Sequence, residues 1–247
     1  MKTRLRALLV CLASCAGPMM LAETACAGDA AEMRVIGFSA DARIFAFEEY
    51  GVQDGSGFPY SNIYLIDVER NKFTPGSPVR VTIEREAPVK EARALAWSKA
   101  QALVTRYGAD SDPGAFAVYR AAADLGAEGD TVRFNRYPRA PKLSRPYAIQ
   151  LQTKPFPATK DCLNAGNGFN GFLLKLIEAD AKPVDRLLYE DASVPPSRKC
   201  PTGYRIGAVV MDNDKAATAV AMIQVSSQGF EGDDIRWVAI PIKLDAP

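Results

Sequence analysis

The sequence predicts a mainly β protein: antiparallel meander sheets, in a sandwich or a propeller-blade-like arrangement, with one amphipathic helix near residues 88–107. Three observations carry this reading. Short runs rich in β-branched and aromatic residues alternate apolar and polar side chains, which is the period of a half-buried strand. Gly, Pro, Asn and Asp punctuate those runs and supply the backbone angles that turns need. One stretch alone shows a clear helical repeat, and it is framed by a proline and a glycine.

Met33–Phe38, Arg43–Phe47, Asn62–Val68 and Pro78–Glu84 read as four strands of a meander, joined through Ser39–Ala42, the Gly-rich Gln53–Gly57 loop and Pro75–Gly76. In the helix, Pro88 sits where a first-turn proline belongs and Gly108 where a C-terminal glycine belongs. Ala92, Ala96, Leu103 and Tyr107 fall near one face, with Leu95 and Val104 beside them, so that face is expected to cover a sheet. Lys90, Arg93, Lys99 and Arg106 are expected in water. Strand-like runs return at Phe116–Arg120, Thr131–Asn135, Tyr147–Thr153, Phe172–Ile177, Arg186–Tyr189, Tyr204–Met211, Ala217–Val225 and Ile235–Leu244. Asp41–Phe47 followed by Ile63–Ile66 is echoed by Asp214–Val220 followed by Ile235–Val238, at a nearly constant offset and across a glycine-bearing loop. Two related hairpin units are expected to open and close the domain.

Residues 1–27 carry the layout of a secretory signal peptide. Lys2, Arg4 and Arg6 precede an apolar stretch, and Ala25-Cys26-Ala27 supplies small residues for cleavage. Leu12-Ala13-Ser14-Cys15 also matches a lipobox, so lipoprotein processing at Cys15 is the competing expectation. Residues 28–247 are expected to form one exported domain, periplasmic or secreted, without a transmembrane helix. Export leaves Cys162 and Cys200 as the cysteines of the mature chain, and an oxidising compartment pairs them. Of 30 basic and 29 acidic residues, export removes Lys2, Arg4, Arg6 and Glu23, so the mature chain is near neutral. Its bulk charge gives no reason to expect nucleic acid.

The segment Phe38-Ser-Ala-Asp-Ala-Arg-Ile-Phe-Ala-Phe47 resembles a WD40-like propeller repeat of Tol-type periplasmic proteins. In that pattern the turn aspartate binds its own backbone, but two of its positions, Pro and Gly, are both Ala here. The longer stretch from Gly37 to Tyr60, with Ile63–Val68 and Gly229-Phe-Glu-Gly232, is similar to a family of predicted secreted bacterial proteins of unknown function. That resemblance implies export and carries over no catalytic residue.

The chain contains no histidine, which excludes Ser-His-Asp and Cys-His catalysis and imidazole metal sites. No P-loop, Rossmann glycine pattern or Gly-x-Ser-x-Gly is present, so no cofactor is expected. Three sets of residues remain. Arg133, Arg136, Arg139, Lys142 and Arg145 recur every third residue among prolines. Polyproline II has the same period and would align them into a row for an anionic envelope component or an acidic protein. This non-catalytic binding role is the leading expectation. Glu48, Glu49 and Asp54 form an acidic cluster that would suit a carboxylate-dependent hydrolase of an envelope polymer. Neighbouring strand residues point to opposite faces, however, so Glu48 and Glu49 can share one site only across a bulge. Asp212-Asn-Asp214 and Glu231-Gly-Asp-Asp234 flank one hairpin and raise a calcium-stabilised module as a third class, although no full metal-loop signature is present.

Overall fold

The computed structural model describes residues 28–120, 131–137, 144–162, 168–213, 217–230 and 232–244. The expected signal segment 1–27, Arg139 and Lys142 of the basic row, and Asp214 and Glu231 of the acidic hairpin ends lie outside the described residues.

The described residues form three antiparallel sheets. The first contains β1 (Glu32–Phe38), β2 (Ile44–Val52), β3 (Pro59–Asp67) and β4 (Lys72–Phe73) in that order, with β5 (Val79–Thr82) also paired to β3. The central sheet takes β6 (Ala115–Tyr119), β11 (Pro201–Met211), β12 (Thr218–Gln228) and β13 (Asp233–Lys243) in the order β13-β12-β11-β6. The remaining sheet is a meander of β7 (Thr131–Asn135), β8 (Pro146–Pro155), β9 (Asn170–Ala179) and β10 (Lys182–Glu190).

Side-chain alternation decides how these sheets stack. On β12, Ala219, Ala221 and Ile223 point to one side and pack with Ile149, Leu151 and Leu174 of the β7–β10 sheet. Val220 and Met222 point the other way, onto Phe45, Phe47 and Tyr60 of the first sheet. The central sheet is thus buried on both faces, which explains why β11 and β12 read as nearly continuous apolar runs. The far face of the first sheet, through Ala46, Ile63 and Leu65, is covered by α1 (Val89–Tyr107). The layers are therefore helix, first sheet, central sheet and β7–β10 sheet. Of the two expected arrangements the stacked, sandwich-like one is observed: among the described residues the sheets do not continue into a propeller ring or close as a barrel, and the helix covers one end of the stack.

The helix carries two departures from expectation. Its buried line is Ala92, Ala96, Ala100 and Val104, while Leu95 remains 42% exposed. Ala92, Ala96 and Val104 lie where expected, and Leu103 and Tyr107 pack against the same cluster; Ala100 joins the buried line and Leu95 does not, because small side chains let the helix axis lie close to the sheet. Arg93 is also not a solvated cation; it reaches down to the sheet and pairs with Glu48. Pro88 stands at the N-cap and Gly108 ends the helix in the left-handed region, at φ 58°.

At the β1–β2 turn the Asp41 carboxylate accepts hydrogen bonds from the Ser39 hydroxyl (2.6 Å) and the Arg43 N–H (3.1 Å). Ala42 follows at φ 58°, a conformation suited to glycine. Cys162 and Cys200 form the expected disulfide, with Cα atoms 5.4 Å apart, and tie the turn before β9 to the start of β11.

Candidate functional site

Strand β2 pairs with β3 without a register shift, so Glu48 and Glu49 face opposite ways. Glu48 points to the helix side with Ala46. It is 2% exposed and is held by Arg93 through two hydrogen bonds of 2.9 Å, by Arg34 at 2.9 Å and by the Ser61 hydroxyl at 3.0 Å. Burial works to raise its pKa, but the hydrogen bonds and charge of Arg93, with Arg34 and Ser61, outweigh burial and hold Glu48 below the ordinary carboxylate value. Its role in this arrangement is to fasten α1 to the sheet.

Glu49 points with Phe47 toward the central sheet, into a cleft of about 570 Å³. One wall is the β3 face, carrying Tyr60, Asn62, Tyr64 and Ile66. The opposite wall is β13 from Arg236 to Ile240. Tyr189 of β10 and the Pro195–Lys199 segment complete it on the side of the third layer. Glu49 accepts the Trp237 backbone N–H at 2.7 Å, the Asn62 amide at 3.2 Å and the Tyr64 hydroxyl at 3.3 Å. Burial raises its pKa despite those donors and the nearby charge of Arg236.

At one end of the cleft, Arg236 forms an ion pair with the carboxylate of Asp29 and donates to the Asp29 carbonyl at 2.8 Å. Tyr60 donates its hydroxyl to Asp29 at 3.0 Å, and the Arg236 guanidinium lies 5.0 Å from the Tyr60 ring. Burial lifts the pKa of Asp29 in spite of Arg236, and it lifts the Tyr60 hydroxyl as well. Toward the β10 side, buried Arg198 pairs with Asp191 at 2.7 Å, donates to the Tyr189 hydroxyl at 2.9 Å and stacks 4.9 Å from the Phe172 ring. The Tyr189 hydroxyl is pushed up to about 12, chiefly by burial and by its bond to Asp191. Lys72, Arg80 and Lys199 line the same cleft and are exposed. Among the described residues no carboxylate pairs with any of the three, and Arg80 meets only the Tyr64 ring and hydroxyl.

A family model described as "Predicted secreted protein (DUF2259)" matches residues 46–243. The chain belongs to this family. The DUF2259 match begins within β2 and ends on the last residue of β13, so it contains both walls of the cleft. No curated protein and no solved structure matches the chain. No helix among the described residues is long and apolar enough to cross a membrane.

The other expected site residues of this DUF2259 protein are dispersed. Asp54 lies in the β2–β3 loop, where it accepts the Phe230 N–H at 2.8 Å and so joins the tips of two hairpins. Arg133 is on β7 and forms an ion pair with Glu178. Arg136 lies beside Tyr147, whose hydroxyl it approaches, and Arg145 is exposed just before β8. Asp212 accepts the N–H groups of Ala217 (3.1 Å) and Thr218 (2.8 Å), and Asn213 donates its amide to Asp112, so both organise a turn. Among the described residues no three metal-ligating side chains converge.

Sequence reasoning missed Asp29, Arg236, Tyr60 and Arg198. Asp29 sat unread beside the expected signal cut. Arg236 was hidden in an apolar strand, where a lone charge on a buried run is itself a signal of a buried partner.

Proposed function

We propose that this secreted-family protein is a non-catalytic binding module and that an anionic ligand occupies the cleft between the β3 face and β13. One observation carries the reading: the acids of the cleft are engaged, whereas among the described residues three of its cations meet no acid. Glu49 is satisfied on both oxygens and burial raises its pKa, and Asp234 stands 3.9 Å from Arg236. Lys72, Arg80 and Lys199 remain to meet a ligand, in a cleft whose volume suits a small molecule or a short polymer segment. Aromatic walls from Tyr60, Tyr64 and Trp237 add apolar contact without losing much side-chain freedom.

The test is titration calorimetry of the mature chain with tetragalacturonate, an acidic nonapeptide and pyrophosphate at low salt. At least one is expected to bind, with affinity falling as salt rises. Reversing two cations together, Lys72→Glu with Arg80→Glu, is expected to weaken that binding by at least about tenfold, because attraction becomes like-charge repulsion. Unchanged affinity in the double variant removes the cleft as the site. The basic row of Arg133, Arg136, Arg139, Lys142 and Arg145 is a separate proposed contact for an anionic envelope component. Arg133 of that row is already paired with Glu178. Charge reversal at Arg136 and Arg139 distinguishes that surface from the cleft.

The hydrolase reading keeps one supporting observation. Burial shifts the Glu49 carboxyl upward, which is the direction a general acid needs. Glu48 and Asp54 do not stand beside it. Release of reducing ends from an envelope polysaccharide by the mature chain, abolished by Glu49→Gln, would establish that reading.

A further inference from the structure

The cleft is bordered by something other than side chains: the free edge of a strand. β13 is the outer strand of the central sheet and pairs with β12 without a register shift. Its outward backbone groups can be assigned from the two hydrogen bonds at Ile235. The Ile235 N–H donates to the Asp29 carbonyl at 2.9 Å, and the Ala31 N–H donates to the Ile235 carbonyl at 3.0 Å. Ile235 thus faces away from β12, and by the two-residue period so do Trp237, Ala239, Pro241 and Lys243.

Residues 29–31 run parallel to β13 at this point, through the Ala30–Ile235 bridge, and then leave to become β1. Beyond them the row is only partly filled. The Trp237 N–H is taken by the Glu49 carboxylate at 2.7 Å, and the Lys243 carbonyl accepts from Arg186 at 2.6 Å. Between these two plugs lie the Trp237 carbonyl, both groups of Ala239, the Pro241 carbonyl and the Lys243 N–H. Among the described residues none of them has a partner. Pro241 itself fits this assignment, since proline is tolerated in a strand where its missing N–H would face outward from an edge. Ala239 is 5% exposed, so its unpaired groups are sheltered by the cleft walls. A sheltered, unpaired ladder is costly unless something pairs with it.

We propose that the occupant of the cleft is an extended peptide carrying acidic side chains, which adds a strand to β13 across residues 237–241. The inference rests on the cleft-binding reading above and names its ligand class. Backbone pairing supplies affinity, and alternate side chains of the peptide supply specificity. One side of an added strand meets the wall formed by β3 and its partner β5, where β5 carries Arg80, and the mouth carries Lys72 and Lys199. Acidic residues at alternate positions complement those cations. At about 3.3 Å per residue the open row accommodates roughly four to five residues.

The experiment uses the mature, disulfide-bonded chain and a pool of synthetic nonapeptides in which Asp or Glu alternates with Val or Thr. Wild-type protein is expected to retain members of the pool and to show slowed amide exchange at Ala239 on binding them. Backbone N-methylation of a bound peptide at the residue opposite Ala239 is expected to cost at least about tenfold, which requires no variant protein. Ala239→Pro removes the same donor from the protein side without breaking a bond to β12, and is expected to give a similar loss. If tetragalacturonate or pyrophosphate binds in an Arg80-dependent way while no peptide does, the anionic cleft stands and strand addition falls. If peptides bind but neither N-methylation nor Ala239→Pro matters and Ala239 is not protected, strand addition also falls. If none of the three probe classes binds, both readings fall together.

Discussion

Adjacent glutamates on β2 show how one strand gives two identical side chains opposite chemistry. Glu48 sits among arginines and is held below the ordinary carboxylate value, while Glu49 is raised by burial. The consequences for stability have opposite signs. Glu48 contributes stability that is complete above its unfolded value near 4.5 and is lost as pH falls through its lower folded value. Glu49 destabilises the fold progressively as pH rises above its unfolded value near 4.5. Urea unfolding between pH 3 and 8 should separate them. Glu48→Gln is expected to cost about 2 kcal/mol at neutral pH, since charge-assisted hydrogen bonds are lost, with the penalty shrinking in acid. Glu49→Gln is expected to gain on the wild type as pH rises. A parallel response in the two variants would contradict the assignment. That these residues face apart was legible in the sequence, because strand alternation demands it. Which face held arginines and which held a cleft was not, because Arg93 and Trp237 approach β2 from elements far away in the chain.

At the scale of elements, the strands and the helix followed local pattern closely. Every expected strand run has its counterpart among the observed strands, and the helix lies between the anticipated proline and glycine. The β2–β3 and β12–β13 hairpins, which echo one another in sequence, face each other across the Phe45–Met222 core and touch at their tips, where Phe230 donates to Asp54. The β1–β2 turn supplies a separate test. Its resemblance to a propeller turn places glycine where Ala42 stands, and Ala42 indeed adopts φ 58°. A left-handed alanine costs about 1 kcal/mol relative to glycine. Ala42→Gly is therefore expected to stabilise the protein by about that amount in denaturant unfolding. A loss of stability would mean that the buried methyl of Ala42 contributes more by packing than its backbone costs. Local periodicity chose the helix face, since Ala92, Ala96, Val104, Leu103 and Tyr107 all turn to the sheet, but it did not place Ala100 on the buried line or Leu95 off it, because the separation between helix and sheet, set by Ala92, Ala96 and Ala100, is a property of the packed pair.

For the whole molecule, the stack is closed by long-range ties. Arg236 anchors the chain around Asp29 to β13, and Cys162–Cys200 ties the β8–β9 connection of the third sheet to the start of β11 in the central sheet. Cys162 and Cys200 are 38 residues apart, and chain-entropy arguments give such a cross-link about 4 kcal/mol. Replacing both cysteines by alanine is expected to lower unfolding stability by that order. A change below about 1 kcal/mol would show that the bridge acts elsewhere than on the unfolded ensemble. By itself the sequence determined the mainly β class, the helix, the cysteine pair and the absence of imidazole chemistry, because these follow from composition and from patterns a few residues long. Only the tertiary structure decided that the central sheet is buried on both faces, that Glu49 enters a cleft while Glu48 does not, and that β13 leaves part of its edge unpaired. Such features depend on which surfaces meet, and surfaces meet through pairings between residues as distant as Asp29 and Arg236, whose proximity no local pattern encodes.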